Sequence, residues 1–232
     1  MIIAGLQKTT LIDFQDKIAC IVFLAGCNFR CPWCYSAELV LPLKIATQPR
    51  ISEKEVLDFL RTRKGLLDGV VICGGEPTIN KDLPQFLEKI KNGGFLVKLD
   101  TNGSNPKMLK DLVNRKLVDY VAMDIKGLGV YEKIMGEGIK MADIEESVKF
   151  LKQGSVDFEF RTTVVNGVHK KEDFVEIAKW IGGKNVTYYL QNFVPAKTID
   201  PEFEKVQPYK KEFFGEVVEE ISPYFKTCMF RG

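Results

Sequence analysis

Three cysteines stand close together in a short segment near the amino terminus. Cys27, Cys31 and Cys34 have the spacing C-x3-C-x2-C. Three thiolates from one loop can bind three irons of a 4Fe-4S cube and leave the fourth iron without a protein ligand. The amino and carboxylate groups of S-adenosylmethionine (SAM) could chelate that open iron, with the sulfonium beside the cluster. The spacing therefore predicts an iron–sulfur site capable of radical chemistry.

A zinc site is the alternative interpretation of this loop. Zinc would need a fourth thiolate or imidazole at tetrahedral distance. The remaining candidates are not spaced as a partner pair: Cys20, Cys73, Cys228 and His169. We expect these three cysteines to be small buried side chains, and His169 to have a surface or capping role in a turn.

A glycine-rich turn follows a second apolar segment, with Gly74, Gly75 and Glu76 directly after Gly69–Cys73. Glycines let the backbone approach a ligand closely, and a glutamate can accept a hydrogen bond from a cationic amino group. An ordinary turn would explain the same residues. The position after a strand favours binding, because parallel β/α folds bind ligands beyond the carboxyl ends of their strands.

Polar side chains also follow the other predicted strands. They are Asp100, Thr101, Asn102, Asp124, Lys126, Arg161 and Gln191. Because the carboxyl ends of parallel strands share one edge, these groups are expected on the same rim as the cysteine loop. Arg161 could hold a carboxylate there, or pair with Glu159 or Asp157. The sequence thus predicts an active site at this rim.

Six compact apolar runs predict buried strands of a parallel sheet. They are Ile18 to Leu24, Gly69 to Cys73, Phe95 to Leu99, Val118 to Met123, Phe158 to Val164 and Val186 to Leu190. Helical periodicity appears between them, and capping signals occur at Ser52 with Glu55, Asn105 with Pro106, and Asp143 with Glu146. This alternation predicts an α/β fold, either an open doubly wound sheet or part of a (β/α) barrel.

The composition indicates one globular domain. It does not suggest binding to nucleic acid or to a membrane. The 232 residues are 45% hydrophobic and carry a net charge of +2, with no basic block. We expect a single domain over 1–232, with an amino-terminal extension at 1–17 and a cluster loop at 25–36. Without a long apolar run, a cytoplasmic protein is expected, and nucleic acid is not an expected partner.

The motifs together resemble a known family. The C-x3-C-x2-C loop ending in Cys34-Tyr35, together with Gly74-Gly75-Glu76-Pro77, looks like the radical SAM superfamily. Further blocks resemble the activating proteins of anaerobic ribonucleoside-triphosphate reductase and, more distantly, pyruvate formate-lyase activating enzyme. They are the segments 5–13, 98–106, 121–126, 160–165 and 189–193.

The resemblance implies a partial (β/α)6 TIM-type barrel with a radical SAM core and an oxidoreductase activity. A 4Fe-4S cluster on the three cysteines and bound SAM would produce a 5′-deoxyadenosyl radical. Its target would be the glycine Cα of a partner glycyl radical enzyme, with flavodoxin or ferredoxin as electron donor.

Residue roles are implied in the same way. The Tyr35 backbone would lie against adenine, and Gly74, Gly75 and Glu76 would hold the methionine amino group. Lys126 would contact SAM, whereas Asp100, Thr101 and Asp124 match a monovalent-cation and SAM-binding cluster. A histidine that lies near the ribose in the pyruvate formate-lyase relative is replaced by Phe193, so Gln191 or Asn192 would supply the polar contact.

Two other functions compete with a glycyl-radical activase. One is a small radical SAM enzyme acting on a metabolite, similar to the 7-carboxy-7-deazaguanine synthases. The other is a non-enzymatic zinc or iron–sulfur binding module. Methionine and 5′-deoxyadenosine formed after anaerobic reduction would eliminate the module.

Overall fold

A computed structural model describes residues 1–232 and shows eight strands and nine α-helices. The strands are β1 Ile3–Thr10, β2 Ala19–Leu24, β3 Gly69–Gly74, β4 Leu96–Thr101, β5 Tyr120–Asp124, β6 Asp157–Val164, β7 Gly183–Asn192 and β8 Phe225–Arg231. The helices are α1 Ala37–Val40, α2 Pro42–Ile45, α3 Glu53–Thr62, α4 Leu83–Asn92, α5 Pro106–Asn114, α6 Tyr131–Ile134, α7 Met141–Leu151, α8 Lys171–Ile181 and α9 Lys211–Ile221. None of the helices combines the length and apolar character needed to cross a membrane.

All eight strands form one sheet in the order in which they occur along the chain. Strand β1 is antiparallel to β2, and every other neighbouring pair is parallel. The first and last strands are not paired with each other, so the sheet is an open barrel. The expected α/β fold with parallel strands is confirmed, whereas the sheet has two strands more than the six that the apolar runs predicted.

The two additional strands are the edges of the sheet. Within the predicted extension at 1–17, Ile3–Thr10 forms β1, and Phe225–Arg231 forms β8 at the other end. In β8 no residue is fully buried, and β1 is buried only at its two ends. An edge strand that is half exposed needs no continuous run of apolar residues. The apolar pattern of the sequence therefore does not predict these two strands.

Two of the three predicted capping signals are confirmed, and the third is wrong. Ser52 and Glu55 form a capping box at α3, and the Asn105 side chain accepts from the Met108 N–H at α5. Helix α7 begins at Met141, three residues earlier than the pair Asp143 and Glu146 predicted. The Asp143 carboxylate instead accepts the Lys140 backbone N–H at 2.9 Å.

The hydrophobic core lies mainly between the convex face of the sheet and the helices. Alternate residues of the strands, such as Val22 and Leu24 of β2, point to this side. A smaller cluster of Phe14, Ala19, Ile21 and Val71 fills the barrel at the amino ends of the parallel strands. The loop after β1 therefore closes one end of the barrel with Phe14, and the other end stays available for a site.

Candidate active site

A cavity of about 460 Å³ lies at the carboxyl ends of the parallel strands. All the predicted site residues except Glu76 line it: Cys27, Cys31, Cys34, Tyr35, Gly74, Gly75, Asp100, Thr101, Asn102, Asp124, Lys126, Arg161 and Gln191. Gln7 of β1 and Gln191 of β7 face the same space although five strands separate them. Only a curled sheet brings such distant strands together.

The cysteine loop is fixed from both sides by main-chain hydrogen bonds. The Arg30 N–H donates to the Ile134 carbonyl at 2.8 Å, beside α6. On the other side, the Ile199 N–H donates to the Cys34 carbonyl at 2.9 Å. Both supporting segments are remote in sequence, so the loop conformation depends on the complete fold.

The three thiols offer the donor set of an iron–sulfur cluster. Burial raises the pKa of Cys27 to about 12 and that of Cys31 to about 11. The Phe29 N–H donates to the Cys27 sulfur at 3.4 Å, a contact that would stabilise a thiolate. No three His, Cys, Asp or Glu side chains converge to hold a single metal ion. Three thiols are the donor set of a 4Fe-4S cube, in which each would bind a different iron.

Glu76 is fully buried, and its carboxylate is occupied by donors from the protein itself. Oε1 accepts the Thr78 N–H at 3.0 Å and the hydroxyls of Thr78 and Thr101 at 2.5 and 2.7 Å. Oε2 accepts the Asn102 N–H at 2.6 Å. Burial raises the pKa of Glu76, and these hydrogen bonds lower it in part. The carboxylate therefore positions Thr101 and Asn102, and it does not face the cavity.

The glycines of the turn are required by neighbouring backbone. Gly74 has φ +117°, and a Cβ on it would overlap the Leu24 main chain. A Cβ on Gly75 would overlap the Gly26 carbonyl. The Glu76 N–H also donates to that Gly26 carbonyl at 2.7 Å. The turn is thereby held directly against the start of the cysteine loop, which places both at one end of the cavity.

Charged side chains form a network across the barrel interior. Arg161 donates through Nε to Asp124 Oδ1 at 3.0 Å and through Nη1 to Asp100 Oδ2 at 3.1 Å. Lys126 lies 3.0 Å from Asp124 Oδ2, and Lys98 lies 3.3 Å from Asp100 Oδ1. Burial alone would raise the pKa of Asp124, but Lys126 and Arg161 more than offset it and lower the pKa to about 2. The Asp124 carboxylate is therefore ionised at neutral pH.

The predicted monovalent-cation ligands are already engaged. Three of the four carboxylate oxygens of Asp100 and Asp124 accept hydrogen bonds from Lys126 or Arg161. The fourth, the buried Asp100 Oδ1, accepts no hydrogen bond and lies 3.3 Å from Lys98 Nζ. The Thr101 hydroxyl donates to Glu76. These residues do not fit a cation in this arrangement, because Arg161 bridges the two carboxylates and supplies the positive charge itself.

The sequence did not single out several residues that support the site. The Asn28 side chain joins the cysteine loop to the loop after β4, donating to Ser104 Oγ at 2.8 Å and accepting from Asn102 Nδ2 at 3.0 Å. Lys98 is buried within the barrel. Lys98 could have been predicted to face the site because it lies two residues before Asp100, and residues i and i+2 of a strand share a face.

Other polar candidates lie away from the cavity. The expected surface position of His169 is wrong, because the ring is buried, whereas its hydrogen bonds to main-chain groups agree with a capping role. Nδ1 accepts the Val165 N–H at 3.0 Å, which leaves Nε2 to donate to the Lys126 carbonyl at 2.9 Å. Trp33 packs edge-on against His169 and borders a separate cavity of about 400 Å³. Asn192 donates to the Tyr209 carbonyl, so Gln191 is the member of that pair that faces the site.

The remaining cysteines differ in their surroundings. Cys20 is fully buried as expected, whereas Cys73 and Cys228 are only partly buried. Cys73 lines the cavity, near Asp100 and Arg161. Arg161 does not pair with Glu159 or Asp157; Glu159 is held instead by Arg231 and the Tyr120 hydroxyl.

Comparisons with known proteins agree with this geometry. The profile of the radical SAM superfamily matches residues 21–181. A protein of Methanocaldococcus jannaschii named "Putative glycyl-radical enzyme activating enzyme" is 32% identical over 240 aligned positions, covering 99% of this chain and 95% of that protein. A 7-carboxy-7-deazaguanine synthase of Thermococcus kodakarensis is 27% identical, covering 68% of this chain and 66% of that enzyme.

A solved structure shares the fold. A domain of pyruvate-formate lyase-activating enzyme from Bacteroides vulgatus superposes with a TM-score of 0.56 at 15% identity. The match covers 71% of this chain and 99% of that domain. At this identity the likeness shows a common fold and leaves the choice of substrate open.

Proposed function

This chain belongs to the radical SAM superfamily, and from that premise we propose that it generates a glycyl radical on a partner enzyme. The similarity to the M. jannaschii protein over nearly the full length of both chains carries the proposal. The sequence blocks that resemble reductase-activating proteins favour anaerobic ribonucleoside-triphosphate reductase as the partner. A flavodoxin or ferredoxin would supply the electron.

Cys27, Cys31 and Cys34 would hold the 4Fe-4S cluster that the family implies. Together with SAM, a reduced cluster would supply one-electron cleavage of the sulfonium S–C5′ bond, which would give methionine and a 5′-deoxyadenosyl radical able to take a hydrogen atom from a glycine Cα. Burial raises the pKa of all three thiols, so iron would displace their protons on binding. No disulfide joins any two of the six cysteines, in keeping with the cytoplasmic location that we propose.

The charged network would orient SAM at the rim. The three cations Lys98, Lys126 and Arg161 are balanced by the three carboxylates Asp13, Asp100 and Asp124, so one individual cation would bind the methionine carboxylate. We assign that contact to Lys126, the cation of this network whose charge acts on the Cys31 thiol and partly offsets the rise in its pKa. The backbone of Gly74 and Gly75 lies on the cavity wall where it can meet the methionine amino group, and Glu76 fixes the adjoining loop.

Anaerobic reconstitution tests the proposal. The protein is loaded with iron and sulfide and reduced with dithionite in the presence of SAM and the candidate reductase. We expect methionine and 5′-deoxyadenosine in equal amounts, together with a glycyl doublet in the electron paramagnetic resonance spectrum. Failure to form 5′-deoxyadenosine with a fully loaded cluster would refute the enzyme assignment.

A second candidate is a metabolite-modifying enzyme, which the similarity to the T. kodakarensis synthase favours. In that case SAM cleavage would depend on a small molecule and no glycyl doublet would form with any reductase. A non-enzymatic metal-binding module would bind iron without consuming SAM. The same reconstitution therefore separates all three functions.

A further inference from the structure

Lys126, the lysine assigned to SAM, lies on a loop that has left the sheet. Strand β5 ends at Asp124, and the Ile125 N–H makes the last main-chain hydrogen bond to the neighbouring strand, to the Arg161 carbonyl at 2.7 Å. Gly127 follows with φ +99°, a conformation that residues other than glycine rarely adopt. Strand pairing therefore does not fix the Lys126 peptide, and its position depends on other groups.

Two side chains bind the main chain of Lys126. Its N–H donates to the Tyr131 hydroxyl at 3.1 Å, and its carbonyl accepts from His169 Nε2 at 2.9 Å. Both side chains are buried, so water competes little for these hydrogen bonds. The two main-chain polar groups of Lys126 thus depend on one tyrosine and one histidine.

The same two side chains contact the cysteine loop. Tyr131 packs edge-on against Phe29 with ring centroids 6.2 Å apart, and His169 packs edge-on against Trp33 at 6.1 Å. Phe29 lies in the first interval of the C-x3-C-x2-C spacing, and Trp33 lies in the second. Both halves of the cysteine loop are therefore packed on the groups that hold Lys126.

Further contacts restrain the two rings. His169 Nδ1 accepts the Val165 N–H at 3.0 Å, and the Tyr131 ring packs edge-on against Trp180 of α8. Neither ring can turn without breaking these contacts. The Lys126 peptide and the cysteine loop are thereby held at a fixed separation.

We infer that His169 and Tyr131 are positioning residues, which set the distance between the Lys126 ammonium and the cysteine loop. Asp124 orients that ammonium at 3.0 Å, and the two rings fix the peptide from which it extends. A cation held in place before binding loses less entropy when a carboxylate meets it. The inference rests on the proposed contact between Lys126 and SAM, and it extends that contact to two residues that do not line the cavity.

Two substitutions of His169 separate its two hydrogen bonds. The side-chain oxygen of asparagine can take the place of Nδ1 and accept the Val165 N–H, whereas the longer glutamine can carry an NH2 to the place of Nε2 and donate to Lys126. Binding of radiolabelled SAM is measured by anaerobic equilibrium dialysis on the cluster-loaded, unreduced protein. We expect His169→Asn to raise the SAM Kd about three- to tenfold, and His169→Gln to stay within about twofold of wild type.

Tyr131→Phe removes the other hydrogen bond and keeps the ring. It should also raise the SAM Kd about three- to tenfold, because the Lys126 N–H loses its acceptor. Tyr120→Phe is the matched control, since it loses a hydroxyl bond to Glu159 at the opposite end of β5 and should leave the SAM Kd unchanged. In a Lys126→Met background, His169→Asn should change the Kd less than about twofold, because the group that it positions is gone.

Hydrogen–deuterium exchange of the apo protein gives a readout that needs neither cluster nor SAM. Amides of residues 125–130 should exchange at least about tenfold faster in His169→Asn and Tyr131→Phe than in wild type, those of 29–34 should also exchange faster, and those of α4 should not change. Uniformly faster exchange over the whole chain, or equal SAM affinities of the His169→Asn and His169→Gln variants, would overturn the inference. If the affinities and the exchange change as expected but reduction yields no glycyl doublet, the proposed function fails and the positioning role stands.

Discussion

Replacing Glu76 by glutamine tests whether this carboxylate supports the site or contacts the ligand. The glutamate accepts four hydrogen bonds, three at Oε1 and one at Oε2. A glutamine amide can place its oxygen toward Thr78 and Thr101, but its NH2 then meets the Asn102 N–H. The glutamine NH2 and the Asn102 N–H, both donors, would then face each other in place of the 2.6 Å hydrogen bond between Glu76 and Asn102.

The expected cost follows from that lost acceptor. Leaving a buried donor unsatisfied costs about 1–3 kcal/mol, and more when the lost partner was charged. We expect Glu76→Gln to lower the free energy of unfolding of the apo protein by about 2–3 kcal/mol. For a domain of this size each kcal/mol lowers Tm by roughly 2–4 °C, so a decrease of about 4–12 °C should be seen by calorimetry.

An exposed glutamate provides the matched control. Glu88 pairs with Arg115 at the surface, and Glu88→Gln should change stability by less than about 1 kcal/mol. If apo Glu76→Gln unfolds at the wild-type Tm while the loaded protein loses SAM affinity, the carboxylate contacts the ligand and our interpretation of Glu76 is wrong.

Four further predictions concern other parts of the molecule. Arg231→Met removes the bidentate partner of buried Glu159. Because Arg231 is one-third exposed, we expect the free energy of unfolding in urea to fall by only about 2 kcal/mol. Adding Glu159→Gln should lower it little further, since the buried charge is then gone as well. Burial lowers the pKa of His169, so the unfolded chain binds the proton more readily, and the stability that this residue contributes is present above pH 6.5 and is lost as pH falls. Wild type should therefore lose up to about 1.4 kcal/mol more than His169→Gln per pH unit below that value, and parallel urea profiles would contradict the assignment. Cys31→Ala should abolish SAM cleavage whereas Cys228→Ser should keep it, and an Ala variant that still forms 5′-deoxyadenosine would show that the ligand set is wrong. Exchanging potassium for choline at constant ionic strength should change the SAM Kd less than about twofold, because Arg161 already bridges Asp100 and Asp124; a strict potassium requirement would disprove this.

Much of the site could be predicted from the sequence because its residues sit at the ends of strongly apolar strands. Runs such as Gly69–Gly74 must be buried on both faces, and parallel strands present their carboxyl ends at one edge. The sequence alone therefore predicts that the polar residues following those runs share one rim. The spacing of the three cysteines likewise predicts which loop would hold the cluster.

The edge strands and the partners of the charged groups were decided only by the tertiary structure. Strands β1 and β8 are half exposed, so their sequences are not forced into apolar patterns. From the sequence, Arg161 could pair with any of four carboxylates: Asp100, Asp124, Asp157 or Glu159. It pairs with Asp100 and Asp124 because the curved sheet brings β4 and β5 close to it. The hydrogen bonds of Glu76 to Thr101 and Asn102 likewise depend on the neighbouring strand β4, and not on the local sequence of the turn. A local pattern determines which face a residue occupies, whereas the choice between partners on that face depends on distances that appear only when remote strands close around one space.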